Sequence, residues 1–267
     1  MADVDEPLAP DAARRLIREI LQAGRFTYSK HAKEELLADD LTTVDCENVL
    51  RGGAVRPGEL EHGTWRYRIE TSRITVCDRV SIEARTGGRD GMEDRPLMAR
   101  EGVEKPMKCP ECGTPTKMRK ENYRYDECGL KHVTLVGVEV ARCPRCGNYE
   151  ISISHIEELH RLLAKVLIEK STRFTGDEVR FLRKGLGWSG SDFAKHMGVA
   201  EETVSRWENN AAPIGPQADR LLRFLVAQDR LTATYPAERL KEIDLKKATA
   251  TRVTLATRNE QWTVRAA

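Results

Sequence analysis

Residues 189–210, SGSDFAKHMGVAEETVSRWENN, decide the C-terminal fold, because they contain the second and third of four predicted amphipathic helices. Ser189 or Ser191 is suited to cap the second helix, and Gly198 supplies the turn between the two. The third helix is expected from about Glu201 to Asn209. Apolar residues at helical spacing form the predicted buried faces of the second and third helices and of the turn between them: Phe193, Ala194, Met197, Val199, Val204 and Trp207.

Two more helices complete this predicted all-α bundle over residues 175–230. The first begins near Asp177, and the fourth spans Gln217 to Gln228. Spacing alone also fits a four-helix bundle that never meets DNA. The predicted core positions on the two outer helices are Val179, Leu182, Leu186, Leu221, Leu222, Leu225 and Val226.

This arrangement is typical of a helix-turn-helix, which presents the N-terminal half of its third helix to a DNA major groove. Arg206 has the fork geometry for a bidentate contact to guanine, whereas Glu202 either accepts from a cytosine amino group or repels phosphates. The segment resembles the Xre/Cro-type helix-turn-helix family over residues 175–229. The candidate DNA-binding residues are Ser189, Ser191, Glu202, Thr203, Ser205 and Arg206.

Four of the seven cysteines occur in two matched frames, CPECG at 109–113 and CPRCG at 143–147. Four thiolates fit tetrahedral zinc, and a site with no open position indicates one structural ion. The alternatives are a redox pair or unligated buried cysteines. The predicted ligands are Cys109, Cys112, Cys143 and Cys146.

Cys128 lies between the two pairs, where it is a fifth ligand, an oxidation sensor or a spare thiol. Residues 107–152 contain little apolar sequence, so this zinc module is expected to depend on its metal and to unfold on chelation. The uneven cysteine spacing and the absence of a secretory signal argue against a disulfide framework.

The 267 residues suffice for two or three domains, and their charge is divided unevenly. Residues 1–106 carry 17 basic and 21 acidic side chains, and residues 107–267 carry 27 and 21. The basic half is therefore the better candidate for contact with phosphate. No apolar run approaches a membrane span, so we expect no membrane partner and a cytoplasmic, bacterial location.

The order of the modules supports a more specific resemblance. A double CxxC module, a helix and this DNA-binding domain are similar to MqsA-type antitoxins over residues 107–229, notably in CGLKHVTLVGVEVARCPRCG and VSRWENN. The resemblance implies a homodimer that represses its own toxin–antitoxin operon at a palindromic operator in double-stranded DNA. It also implies that the zinc module holds a toxin.

Residues 25–77 resemble a small domain encoded beside such antitoxins, which implies a toxin role and a fold like RelE-type ribonucleases. RNA cleavage needs a base, a phosphate-binding cation and an acid. His31 or a nearby carboxylate is a candidate base, and Arg66 or Arg68 a candidate clamp. The other interpretation is a solvated His31–Glu35 pair and an ordinary strand face. The positions carried over are His31, Glu34, Glu35, Trp65, Arg66, Tyr67 and Arg68.

The predicted fold class is a multidomain α+β protein. We expect a toxin-like α+β domain at 11–85, a linker at 86–106, the zinc ribbon at 107–152, a connecting helix within 153–174, the helix-turn-helix bundle at 175–230 and a tail at 236–267. The tail is expected to end in a hairpin around Arg258–Glu260.

Together these observations predict an autoregulating, antitoxin-type DNA-binding repressor that restrains a toxin domain in cis or in trans. Two alternatives remain. One is a latent RNA-cleaving toxin that its own C-terminal half inhibits, and the other is a sensor of thiol oxidation or zinc availability.

Overall fold

The computed structural model describes residues 7–61, 64–71, 80–85, 108–109, 111–230, 235–258 and 261–265, and shows a mixed α+β protein, as expected. The expected linker at 86–106 lies outside these residues. None of the described helices is both long and apolar enough to cross a bilayer. The helices are α1 Pro10–Ala23, α2 Lys30–Ala38, α3 Thr43–Gly52, α4 Ile156–Glu169, α5 Gly176–Gly185, α6 Gly190–Met197, α7 Glu201–Glu208 and α8 Pro216–Arg230. The strands are β1 Arg25–Ser29, β2 Ala54–Val55, β3 Glu59–Glu61, β4 Thr64–Thr71, β5 Val80–Arg85, β6 Lys117–Arg124, β7 Val133–Arg142, β8 Tyr149–Ser154, β9 Thr172–Arg173, β10 Asp244–Ala248, β11 Val253–Arg258 and β12 Gln261–Val264.

A six-stranded sheet with β7 at its centre forms the middle of the molecule. Strand β6 runs antiparallel along one edge of β7. Because a strand has only two edges, β8 and β11 share the other one: β8 pairs antiparallel with residues 139–142, and β11 pairs parallel with residues 133–136. Val133, Leu135 and Val140 are fully buried in this strand. The hydrophobic core therefore includes residues of the cysteine module, for which the sequence analysis predicts little core of its own.

The N-terminal residues complete this sheet instead of folding apart from it. Strand β1 pairs antiparallel with β8 from Arg25↔Ser154 to Ser29↔Glu150. Helix α1 buries Ala13, Ile17 and Leu21 and packs against α3 and α4. The structure thus differs from the separate unit expected at residues 11–85. A strand partner more than 120 residues away leaves no local trace in the sequence, which explains the difference.

Buried polar contacts join α3 to α4 and α5. Nδ1 of His160 lies 2.6 Å from Oε2 of Glu47, and its Nε2 lies 2.8 Å from the hydroxyl of Tyr125. Nζ of Lys184 donates to Oδ2 of Asp45 at 2.5 Å. Groups buried in this way are costly unless paired, so these contacts fix how the N-terminal helices dock.

A second, smaller sheet packs against α3. Strand β4 pairs antiparallel with β2 and β3 along one edge and with β5 along the other. Tyr67 of β4 is buried, and its hydroxyl accepts a hydrogen bond from the backbone amide of Leu8 at 2.6 Å. Residues 72–79, between β4 and β5, lie outside the described residues.

Helices α5 to α8 form the expected bundle, but the inner face of α8 differs from the prediction. Leu222 and Val226 are buried as expected, whereas Leu221 is 38% exposed. Asp219 and Arg223, both fully buried, take the inward positions around Leu222. On α5, Leu186 follows the last helical residue and is only half-buried. The positions of the apolar residues alone therefore predict an inward face of α8 that is rotated about the helix axis from the observed one.

Arg223 explains this phase, because its guanidinium links α8 to the end of α4. Its Nε donates to Oδ1 of Asp219 at 2.7 Å, and the group lies 4.2 Å from the ring centre of Phe174. The second carboxylate oxygen of Asp219 accepts from the Phe174 amide at 2.9 Å. The remaining guanidinium donors reach the carbonyls of Ile168, Lys170 and Thr172.

The C-terminal tail is part of the central sheet. Strands β11 and β12 pair antiparallel on either side of residues 259–260, where the sequence predicted a hairpin. Trp262 is buried, and its indole nitrogen donates to the carbonyl of Ser154 at 2.7 Å. Strand β10 pairs in parallel with β9, the two-residue strand that connects α4 to α5 in the chain. The tail therefore adds two strands, β11 and β12, to the central sheet of the same chain.

Candidate nucleic-acid interface and metal centre

The turn between α6 and α7 has the geometry that its sequence requires. The hydroxyl oxygen of Ser189 accepts a hydrogen bond from the backbone amide of Asp192 at 3.0 Å and caps α6. The side-chain carboxylate of Asp192 in turn accepts a hydrogen bond from the Ser189 hydroxyl. These hydrogen bonds lower the pKa of Asp192. Gly198 ends α6 with φ 64°, a conformation that glycine adopts without a Cβ penalty. Two short helices are thus set at a fixed angle around a tight turn.

The outer face of α7 is polar and exposed, and its inner face is buried. Val204 and Trp207 pack into the bundle, while Glu202, Ser205 and Arg206 are exposed and Thr203 is half-buried. A shallow concavity runs along this face. Residues of α5, α6 and α7 line it: Arg180, Gly190, Glu201, Glu202, Val204, Ser205, Arg206, Glu208 and Asn209.

The six predicted DNA-binding residues therefore divide into two groups. Glu202, Thr203, Ser205 and Arg206 lie on one helix, and three of these line the same concavity. Ser189 is committed to the cap of α6, and Ser191 is half-buried in its first turn. The outward residues of α7 are brought together, while the two serines lie at the start of the preceding helix.

Two arginines of α5 hold α7 in place through Glu208, whose side chain is almost completely buried. Nε and Nη2 of Arg183 contact the two oxygens of this carboxylate at 2.5 and 3.0 Å, a bidentate pairing. Nε of Arg180 lies 3.4 Å from it, and Nη2 of Arg180 donates to Oδ1 of Asn209 at 3.0 Å. Arg180 and Asn209 are not among the residues predicted from the sequence, although the position of Arg180 on the outward face of α5 is a signal that could have revealed it.

The four cysteines of the two CxxC pairs form a compact cluster in which all sulfurs lie within 4.8 Å of one another. Pairs of sulfurs are separated by 3.5 Å (Cys109–Cys146), 3.4 Å (Cys112–Cys143) and 3.7 Å (Cys112–Cys146). Thiolates about 2.3 Å from a tetrahedral zinc ion lie about 3.8 Å apart, so the spacing fits this ion. The cluster can hold one metal ion with four sulfur ligands.

Two similar loops position these sulfurs. Gly113 and Gly147 have φ values of 69° and 71°, and their amides donate to the carbonyls of Cys109 and Cys143. Hydrogen bonds with the side chain and backbone of Thr114 lower the pKa of Cys112 to about 6, which favours the thiolate that a metal ion requires. The glycine following each pair is thus needed for its backbone conformation.

Two of the remaining thiols are enclosed in the core. Cys128 is fully buried, its sulfur donates to the carbonyl of Tyr125 at 3.1 Å, and burial raises its pKa. Burial also raises the pKa of Cys46 to about 12. Cys128 is not part of the sulfur cluster, so the structure contradicts its interpretation as a fifth ligand.

The candidate catalytic residues lie on elements with different neighbours. His31 and Glu35 form an exposed pair 3.1 Å apart on α2, which packs against β1 and the turn Asp126–Cys128. Arg66 and Arg68 are on β4, which packs against α3. Lys30 and Glu34 pair at 3.6 Å along α2, Trp65 is half-buried and Tyr67 is buried. The exposed position of His31 and Glu35 on α2 corresponds to the alternative interpretation from the sequence, in which they are a solvated pair.

Comparison with known proteins identifies one region of the chain. A family model described as Helix-turn-helix matches residues 179–225, which span α5 to α8. No curated protein and no solved structure matches the chain. The chain therefore contains an Xre/Cro-type helix-turn-helix domain, which indicates a DNA-binding transcription regulator, together with a four-cysteine cluster able to bind a metal ion.

Proposed function

We propose that this protein is a sequence-specific transcription repressor of the antitoxin type, which autoregulates a toxin–antitoxin operon. The observation that carries the proposal is the exposed polar face of α7, in the segment that matches the helix-turn-helix family. Arg206 and Ser205 project from this face, and a buried carboxylate clamp on Glu208 fixes the helix. A fixed helix loses little freedom on binding, which favours specific contacts.

In this proposal α7 enters the major groove and α6 crosses the DNA backbone. Arg206 makes the main base contact, bidentate to a guanine, with Ser205 and Thr203 beside it. Glu202 in the first turn disfavours registers that bring a phosphate close to it. Ser189 and Ser191 place the start of α6 against a phosphate.

A palindromic operator requires two copies of this domain. Leu221 and Phe224 are 38% and 45% exposed on α8 of the same bundle, and a second copy would cover such apolar side chains. The antitoxin role and the toxin, held in cis or in trans, rest on the order of the cysteine module and the DNA-binding domain. Within the module we assign one structural zinc ion to Cys109, Cys112, Cys143 and Cys146, where it would fix the two glycine-ended loops.

The proposal is tested by titrating the full chain against a duplex covering the promoter of its own gene, at two salt concentrations. We expect Arg206→Ala to weaken binding by about 5- to 150-fold, the range for one bidentate contact. Arg119→Ala removes the same charge from an exposed position on β6 and is the matched control. The wild type should bind a scrambled duplex much more weakly and should lose affinity steeply with salt.

Equal affinity for the promoter and scrambled duplexes would refute the proposed sequence specificity. Equal effects of Arg206→Ala and Arg119→Ala would refute the assignment of α7 as the base-reading helix. A half-site duplex serves as an additional probe, since a homodimer loses much of its affinity when only one half-site is present.

A further inference from the structure

The contacts between the N-terminal half (residues 7–61, 64–71 and 80–85 of the described chain) and the DNA-binding bundle include an exposed turn beside Arg180 of α5. Asp40, just after α2, is 73% exposed at its side chain and has φ 52°. Both of its carboxylate oxygens lie 3.2 Å from Nη1 of Arg180 on α5. Arg180 also lines the concavity that contains Arg206 and Ser205. The carboxylate of Asp40, which precedes the cysteine module in the chain, therefore forms an ion pair with the guanidinium of Arg180 at the edge of the candidate DNA surface.

The turn is held in this position by backbone contacts as well as by the ion pair. Nζ of Lys184 on α5 donates to the carbonyl of Asp40 at 3.2 Å and to the buried carboxylate of Asp45 at 2.5 Å. The side-chain amide of Asn48 donates to the carbonyl of Lys184 at 2.7 Å. The carboxylate of Asp40 is thus kept beside Arg180 by an anchor that does not depend on the carboxylate itself.

Arg180 has the properties of a residue that binds a phosphate. Its side chain is 27% exposed, and Asn209, at the end of α7, orients one of its nitrogens through a 3.0 Å hydrogen bond. A guanidinium fork oriented by a neighbour pairs well with carboxylate or phosphate oxygens. Besides Glu208 and Asn209, Arg180 has Asp40 as a partner in the free protein, and Asp40 presents two carboxylate oxygens as a phosphate group would.

We propose that Arg180 is a phosphodiester-binding residue of the DNA interface and that Asp40 competes with the DNA backbone for it. This inference rests on the proposed DNA binding, but it concerns a contact that does not read sequence. Asp40 lowers affinity in two ways, by occupying Arg180 and by repelling the approaching phosphate. The N-terminal half thereby attenuates DNA binding by the C-terminal half of the same chain.

The test is a set of variants titrated against the promoter duplex and a scrambled duplex of equal length. We expect Asp40→Asn to tighten binding to both duplexes by about 1.4- to 5-fold at low salt, the range for one exposed ion pair. Asparagine tolerates the left-handed backbone and leaves the Lys184 anchor in place, so the fold is preserved. Asp39→Asn, an exposed carboxylate on the adjacent residue, is the control for net charge alone.

Arg180→Ala should weaken binding to both duplexes. It should also reduce the slope of log affinity against log salt concentration by about one, the value for one released counterion. In that background Asp40→Asn should gain no more than Asp39→Asn does. Arg180→Lys keeps the charge and should restore most of the salt slope, even if the Ala variant is less stable. The proposal is overturned if Asp40→Asn and Asp39→Asn have equal effects in the wild-type background.

The two proposals fail in distinguishable ways. If the chain binds both duplexes equally and Asp40→Asn still tightens binding, sequence-specific repression is wrong and the competition at Arg180 stands. If specific binding is found and Asp40→Asn changes nothing, only the competition is wrong. If the wild type and Asp40→Asn bind neither duplex, both are wrong.

Discussion

Cys46 and Cys128 show how the surroundings of a residue decide its chemistry. Both side chains lie in the core, where burial disfavours the thiolate and raises the pKa, to about 12 for Cys46. The thiolate is the form that reacts with oxidants and alkylating agents. A sensor role for Cys128, one of the hypotheses that the sequence allowed, therefore requires the core to open first.

We expect Cys46 and Cys128 to resist alkylation by iodoacetamide in the folded protein and to react rapidly once it is unfolded in urea. Peptide mass spectrometry after a timed reaction at pH 8 measures each site separately. A Cys128→Ser variant should respond to mild oxidant in the DNA-binding assay as the wild type does. Rapid labelling of Cys128 in the folded state would revive the sensor hypothesis.

Arg223 and Asp219 make the same point for charged residues. In the sequence they belong to the polar positions of α8, yet both are completely buried and satisfy carbonyls at the end of α4. Removing one partner of such a pair leaves an uncompensated charge in the core. Only the position of α4 and Phe174 shows that this pair, and not Leu221, faces inward.

At the scale of elements, the angle of α7 depends on how closely α5 approaches it. Glu208 is clamped by Arg183, and the start of α5 passes directly over the end of α7. A Cβ at Gly176 would lie 2.5 Å from the carbonyl of Trp207 and 2.6 Å from that of Glu208. The glycine is required here for a close backbone approach, since its own φ is not in the left-handed range.

Gly176→Ala should therefore destabilise the protein by about 1–3 kcal/mol, the usual cost of overpacking a rigid contact. Gly185→Ala in the last turn of the same helix is the matched control, because nothing lies within 4 Å of a Cβ there. Its effect should range from neutral to about 1 kcal/mol stabilising. Urea denaturation of both variants makes the comparison, and equal midpoints would contradict the packing argument.

At the scale of the whole molecule, the central sheet combines segments from both ends of the chain. Strand β1 comes from the first thirty residues, and β11 and β12 come from the last fifteen. Strand β1 pairs with β8, β11 pairs with β7, and β12 pairs with β11. The loop that contains Cys143 and Cys146 connects β7 to β8. The apolar core of this sheet, with Val133, Leu135 and Val140, does not include the sulfur cluster and should persist without a metal ion.

Metal removal is therefore expected to loosen the two cysteine loops and leave the sheet folded. After treatment with a strong chelator, amide exchange should rise at residues 111–115 and 143–148, while β7 stays protected. Re-adding zinc should restore the slow exchange, which controls for side effects of the chelator. Loss of protection throughout β7 would instead support the sequence-based expectation that the whole module depends on metal.

Several parts of this structure were accessible from local sequence patterns. The helix-turn-helix, the capping by Ser189, the turn at Gly198 and the glycines after each CxxC pair all follow from contacts within a few residues. Capping, turn formation and amphipathic periodicity act over one or two helical turns. The sequence therefore determined α5 to α7, the outward face of α7 and the four cysteines of the sulfur cluster.

The tertiary structure alone decided how these parts are joined. It placed β1 beside β8, buried Arg223 in the core and brought Asp40 against Arg180, across sequence separations that reach 140 residues. Such pairings depend on which surfaces become available once the sheet has formed, and nothing in the neighbouring residues encodes them. The physical reason is that burial and pairing over long distances are properties of the assembled core, whereas periodicity and capping are properties of the local chain.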